Sequence, residues 1–305
     1  MRLCPFSHLP GARFPIPFSK KGVQIFPSKL LILPEHQWMP LAIQGPVSKF
    51  TSSLDLERGV IKVFGETKEG YFRYYLFSEN ETLCFFQDKG QPLLPQNLTL
   101  KKKLPIPFIL ERISFGSSKK LDWDLVKRRN DLKEILPVWF RLGQMIPSIK
   151  SSKEASLLCQ EQWELLFSTG FSGILYPEAE DVTHSNLALP PIGKNDNPFI
   201  SLIEGYKRIR KKLLYEEENL CVVLPTFLFP QGRAIGLKTT FGSVDLEWCK
   251  NRLRKVLLRC DHSQKVHFVF PKGNKRCRLA NKKLNLNCVL DLSASNEYFL
   301  DHFEE

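Results

Sequence analysis

Apolar and polar positions divide the chain into segments of different period. Between residues 50 and 112, short apolar runs are punctuated by glycine turns. Val60-Ile61-Lys62-Val63-Phe64 precedes Gly65 and Gly70, an aromatic run covers 71–77, and Leu83-Cys84-Phe85-Phe86 precedes Lys89-Gly90. Runs of this length and spacing predict antiparallel strands. In the middle run, Tyr71, Arg73, Tyr75 and Phe77 share one face, with Phe72, Tyr74 and Leu76 on the other. A strand that is apolar on both faces is a buried one.

From residue 121 the period becomes helical. Leu121, Leu125, Leu132, Ile135 and Leu136 recur at helix spacing up to Pro137, which should end or kink the helix, with 138–146 as a continuing piece. Ser151 or Ser152 is placed to cap a second helix over 153–168. A polar, Pro-rich loop over 174–198 follows. A third helix starts after Asn197-Pro198 and runs to about Glu218.

Strand patterns return at Leu220. Cys221-Val222-Val223-Leu224 comes first, then 235–241. Next, Val244, Leu246 and Trp248 alternate inward, with Asp245 and Glu247 outward. Lys250-Asn251 forms a tight turn into 253–260, since asparagine tolerates positive φ. Val266, Phe268 and Phe270 mark a further strand, and 286–292 reads as the last.

These patterns predict an α+β protein in which two β-rich, sandwich-like antiparallel regions flank a short helical region. The expected partition is an extended Pro-rich lead-in (1–50), an N-terminal β-rich region (51–120), a helical region (121–219) and a C-terminal β-rich domain (220–305). The 305 residues suffice for one large or two ordinary domains. Phenylalanine is frequent, with 23 residues against 7 Tyr and 5 Trp, which suits packed β structure.

No signal-peptide pattern survives the early prolines, and no apolar run approaches the ~20 residues of a membrane span. The eight cysteines are scattered and none forms Cys-x-x-Cys, which points to reduced thiols and a cytoplasmic setting. Phosphate-cradling glycine loops and a Gly-x-Ser-x-Gly elbow are absent from the sequence, and the histidines lack metal-site spacing. No cofactor or metal is expected. The net charge of +12 raises nucleic acid, a membrane surface or an acidic partner.

Two stretches resemble glycoside hydrolase family 95, whose members are inverting enzymes acting on α-L-fucosides and α-L-galactosides. The C-terminal stretch is Leu224-Pro225-Thr226-Phe227-Leu228-Phe229-Pro230, Gly232, Gly236-Leu237, Phe241, Val244-Asp245-Leu246-Glu247-Trp248 and Leu253. The N-terminal stretch is Leu54-Asp55-Leu56-Glu57-Arg58-Gly59-Val60, with Arg73 to Phe77 and Ser78. The resemblance implies related β regions at both ends. The family's acid and base sit in an (α/α)6 barrel between those regions. Here about 100 residues lie between them, too few for twelve helices of ~11 residues. Thr239-Thr240-Phe241 replaces the family's Arg-Gly-Gly, and Asn251 replaces its hairpin glycine. The resemblance thus implies a degenerate, non-catalytic relative that binds carbohydrate or a protein partner.

Inverting hydrolysis needs two carboxyl groups flanking the glycosidic bond. Glu178, Glu180 and Asp181 form the densest local carboxylate group, with Tyr176 placed to stack on a sugar and His184 beside them. They support the alternative of an active glycosidase with a relocated carboxylate pair. A solvated loop explains the same composition. Basic residues cluster at Lys207, Arg208, Arg210 and Lys211, and again at Lys272, Lys275, Arg276 and Arg278. They support a second alternative, a nucleic-acid- or partner-binding protein, against the plainer reading of solvated faces.

Overall fold

The computed structural model describes residues 6–33, 35–93, 98–107, 109–116, 132–147, 198–280, 282–285 and 289–304. Strand β1 (Phe6–Ser7) opens the chain. Strands β2 (Ala12–Pro15), β3 (Gly22–Phe26), β4 (Lys29–Leu33) and β5 (Gln37–Pro40) form an antiparallel meander. The segment expected to be an extended lead-in is therefore a sheet. Its prolines act as punctuation: Pro15 and Pro40 end strands and Pro27 lies in a turn, where a missing N–H removes no interior ladder bond.

A second sheet holds β6 (Ser48–Asp55), β7 (Val60–Thr67), β8 (Gly70–Glu79), β9 (Thr82–Lys89) and β10 (Thr99–Leu100), in the order β1-β6-β7-β8-β9-β10. Phe72, Tyr74 and Leu76 of β8 join Phe14, Val23, Ile25 and Ile32 of the first sheet in one buried cluster, making a sandwich. On the opposite face of β8, Tyr75 and Phe77 pack with Val60 and Cys84 in a small second cluster, under Phe86 and Leu104. Both faces of β8 are covered, as its composition requires.

After β11 (Arg112–Ser114) come helices α1 (Leu132–Gln144) and α2 (Pro198–Leu213). Helix α1 runs through Pro137. Burial of Leu136, Val138, Trp139, Phe140 and Leu142 outweighs the roughly 3 kcal/mol cost of an interior proline. The helices approach closely at two glycines. A Cβ on Gly143 would sit 2.5 Å from Tyr206 Cβ, and one on Gly205 would sit 2.5 Å from the Trp139 ring. Helix α2 stops at Leu213, five residues short of the expected end, because buried Leu214 starts a strand paired with Val223.

The C-terminal unit pairs a four-stranded with a seven-stranded sheet. The smaller contains β12 (Leu214–Glu217), β13 (Leu220–Val223), β17 (Gln264–Val269) and β20 (Val289–Leu292). The larger runs β11-β14-β15-β16-β21-β18-β19, with β14 (Gly232–Thr239), β15 (Gly242–Cys249), β16 (Arg252–Cys260), β18 (Arg276–Leu279), β19 (Lys282–Asn285) and β21 (Glu297–Glu304). Phe268 of the smaller sheet meets Phe241 at 5.8 Å between ring centroids. The β15–β16 turn has positive φ at Asn251, as expected, and also at Lys250.

Strand β21 lies beyond the strand expected to be last. Its sequence, Glu-Tyr-Phe-Leu-Asp-His-Phe-Glu, hides a strand among charges because only one face is buried. Helices and sandwiches meet at Glu111, just before β11. Its carboxylate accepts from Arg210 Nε (3.0 Å), the Lys238 backbone N–H (2.8 Å) and Tyr206 Oη (3.1 Å). Nearby, Arg141 of α1 donates to the Leu56 and Leu110 carbonyls, tying the helix to the N-terminal sandwich.

Candidate functional site

The carboxylate group Glu178, Glu180 and Asp181, with Tyr176 and His184, lies outside the described residues. The basic helix cluster is described, and much of it is engaged within the protein. Lys207 pairs with Glu204 at 2.8 Å, Lys211 lies over the Tyr215 ring, and Arg208 is half-buried. Arg210 turns inward to Glu111 and also donates to the carbonyls of Leu214 and Lys238.

The C-terminal stretch around Trp248 forms one packing unit. Trp248 on β15 donates its indole N–H to the Phe229 carbonyl at 2.9 Å, and its ring faces Phe115 and Gly232. The Asn251 N–H donates to the Pro230 carbonyl. These residues are near one another because they close the end of the seven-stranded sheet, so the motif has a structural role in this chain.

Chemistry accumulates on the opposite, outward face of that sheet. Strand alternation sends Val244, Leu246, Trp248, Val256, Leu258 and Leu300 into the core, and their sequence neighbours outward. One outward row crosses six strands in register: Arg233, Glu247, Lys255, Asp301, Arg278 and Lys283. In the next row Asp245 lies opposite Leu257, and Leu257 opposite Phe299. Arg259 sits opposite Glu297 in the row beyond and reaches both Asp245 (3.0 Å) and Glu297 (3.2 Å). Asp245 and Glu247 are thus on the solvated face of an antiparallel strand. Asp245 also accepts the Gly236 N–H at 2.8 Å.

A hollow of about 490 Å³ opens over β21 and β18, lined by Arg278, Leu279, Ala280, Glu297, Phe299 and Asp301, among others. It is a depression on the outward face of the sheet, open to solvent, not an enclosed cavity. Phe299, on the fifth of the sheet's seven strands, is 46% exposed and presents its ring to solvent on this face. Beside it, Arg278 grips Asp301 with two bonds, Nε to Oδ1 at 2.9 Å and Nη2 to Oδ2 at 2.8 Å. His302 Nδ1 is 3.1 Å from the same carboxylate. The Arg278 guanidinium holds the Asp301 carboxyl down at about 2, so it stays ionised under all ordinary conditions.

Of these lining residues, the sequence marked Arg278, as a basic patch member. Phe299, Glu297 and Asp301 were missed. The available signal was their spacing at i, i+2 and i+4, a one-faced strand pattern. No cluster of three or more His, Cys, Asp or Glu able to hold a metal occurs among the described residues. Nor is any helix among them long and apolar enough to cross a membrane. Cys84, Cys221, Cys249, Cys260 and Cys277 are free thiols, and burial pushes Cys221 up to about 12. No protein-family model matches the sequence, and no curated protein sequence matches it significantly.

Proposed function

We propose that the chain is a non-catalytic carbohydrate-binding protein on a degenerate glycoside-hydrolase-like plan, with the hollow over β21 and β18 as its binding surface. The observation that carries this reading is the exposed Phe299 ring set among fixed charged groups. A pyranose has an apolar face of C–H groups and a rim of hydroxyls. An aromatic ring suits the first, and hydrogen-bonding charges held in place suit the second. Arg278 and Asp301 are locked to each other and Glu297 is drawn to Arg259, so little side-chain entropy remains to be lost on binding.

Acidity favours binding over hydrolysis at this surface. The acid of an inverting glycosidase must carry a proton at its working pH. Among the residues lining the hollow, Asp301 is held well below the ordinary carboxylate range by Arg278, which suits a permanently charged binding group and not a proton donor. The glycosidase alternative rests on Glu178, Glu180 and Asp181.

A glycan array probed with the full chain, followed by calorimetry on the glycans retained, tests the reading. Phe299→Ala should lower affinity roughly tenfold, the scale of one lost stacking contact. Absence of glycan retention, or equal affinity of the variant, would refute it.

A further inference from the structure

Residues 271–285 carry six cations and no carboxylate: Lys272, Lys275, Arg276, Arg278, Lys282 and Lys283. They form the turn before β18 and the β18–β19 hairpin, which borders the hollow. Asp301 neutralises Arg278. Lys272, Lys275, Arg276, Lys282 and Lys283 are exposed, and no acidic partner reaches them among the described residues. Lys283 lies directly opposite Arg278, on the same outward face. Arg276 shares that face by alternation around buried Cys277. Like charges directly opposite each other across two strands oppose pairing. Asp301 offsets that opposition at Arg278, and Arg276 lies in register with exposed Glu304 across β21 without an ion pair between them, whereas Lys283 has no acidic partner among the described residues.

Edge protection explains part of this pattern. Strand β19 is the last strand of its sheet, and lysines there discourage pairing with another chain. It does not explain Lys272 and Lys275, which lie off the edge strand, or Arg276 on the interior strand β18. The basic helix α2 shows the contrasting arrangement, since Lys207, Arg210 and Lys211 each have a partner within the protein.

We propose that the site takes an acidic oligosaccharide, carrying carboxylate or sulfate groups, with one sugar ring on Phe299 and its anionic groups along Lys283 and Arg276, while Lys272, Lys275 and Lys282 add attraction from the flanks of the same hairpin. This rests on the reading of the hollow as a carbohydrate site and narrows it to anionic ligands. A neutral sugar would leave the hairpin cations uncompensated. An acidic one adds attraction that salt screens.

The full chain is titrated with a sulfated hexasaccharide, an uncharged hexasaccharide and single-stranded DNA, at low salt and at roughly 0.3 M. The sulfated sugar should bind at least about tenfold more tightly than the neutral one, with the advantage shrinking at high salt. Lys282→Glu/Lys283→Glu should abolish that advantage, and so should Lys272→Glu/Lys275→Glu, whose changes lie outside the sheet. Both pairs are exposed, so unchanged melting confirms the fold. Phe299→Ala should weaken both sugars. Equal binding of the two sugars, unaffected by the reversals, would overturn the anionic assignment and leave carbohydrate binding standing. Failure of both sugars would remove both. DNA binding as tight as the sulfated sugar, and indifferent to Phe299→Ala, would make this a nucleic-acid surface and overturn the proposal.

Discussion

Replacing Glu111 by alanine removes a carboxylate from a residue only 2% exposed, at the point where both helices and both sandwiches meet. Three donors converge on it: Arg210 Nε, the Lys238 N–H and Tyr206 Oη. The variant strands a guanidinium whose side chain is 22% exposed and leaves two further donors unsatisfied. Breaking a buried ion pair from one side costs about 3–5 kcal/mol. Arg210 keeps the Leu214 and Lys238 carbonyls, which places the expected loss near the lower end, about 3 kcal/mol. That is a large share of a typical total of ~5–15 kcal/mol. Equilibrium urea denaturation followed by intrinsic fluorescence reads it as a lowered midpoint at unchanged slope. Glu111→Ala combined with Arg210→Met should recover part of the loss, because the second change removes the orphaned charge. A Glu111→Ala midpoint within about 1 kcal/mol of the parent would refute the reasoning. Strict additivity in the double variant would show that the ion pair is not the cause.

Two further outcomes follow from local geometry. Gly205→Ala improves helix propensity by up to about 1 kcal/mol. It also drives a methyl to 2.5–2.7 Å from the Trp139 ring, which cannot swing away because its N–H is bonded to the Leu202 carbonyl. Overpacking costs about 1–3 kcal/mol, so net destabilisation is expected, and a variant as stable as the parent would contradict the close helix contact. The Asp301 carboxyl should titrate at about 2 by carbon NMR and return toward the ordinary ~3.9 in Arg278→Ala. Its folded-state value is depressed, so the stability contributed by the pair is present above the unfolded value and is lost as pH falls through about 2. An unchanged midpoint in Arg278→Ala would assign the shift elsewhere.

Much of the β structure was legible because its signal is local. Aromatic residues on both faces of β8 required cover on both sides, and Val244, Leu246 and Trp248 announced an inward face by simple alternation. The Pro-rich start was harder to read. Proline between short apolar runs marks either an extended tail or the turns of a meander, and pairing partners decide which. Strand β21 escaped for a related reason: its outward face is charged, and only register with β16 shows that Leu300 is core.

The candidate site was the least legible part. Phe299 and Asp301 share a strand with Glu297, but Arg278 and Lys283 come from a hairpin some twenty residues earlier. Sequence proximity cannot show that Arg278 is neutralised while Lys283 is not. It grouped Arg210 with its basic neighbours although that side chain points to Glu111, 99 residues away. The sequence by itself determined the strand faces and the turn at Lys250-Asn251, both consequences of spacing along the backbone. Tertiary structure alone decided which charges are paired and which aromatic rings remain exposed. Both depend on strand order and register, which bring distant residues within bonding range.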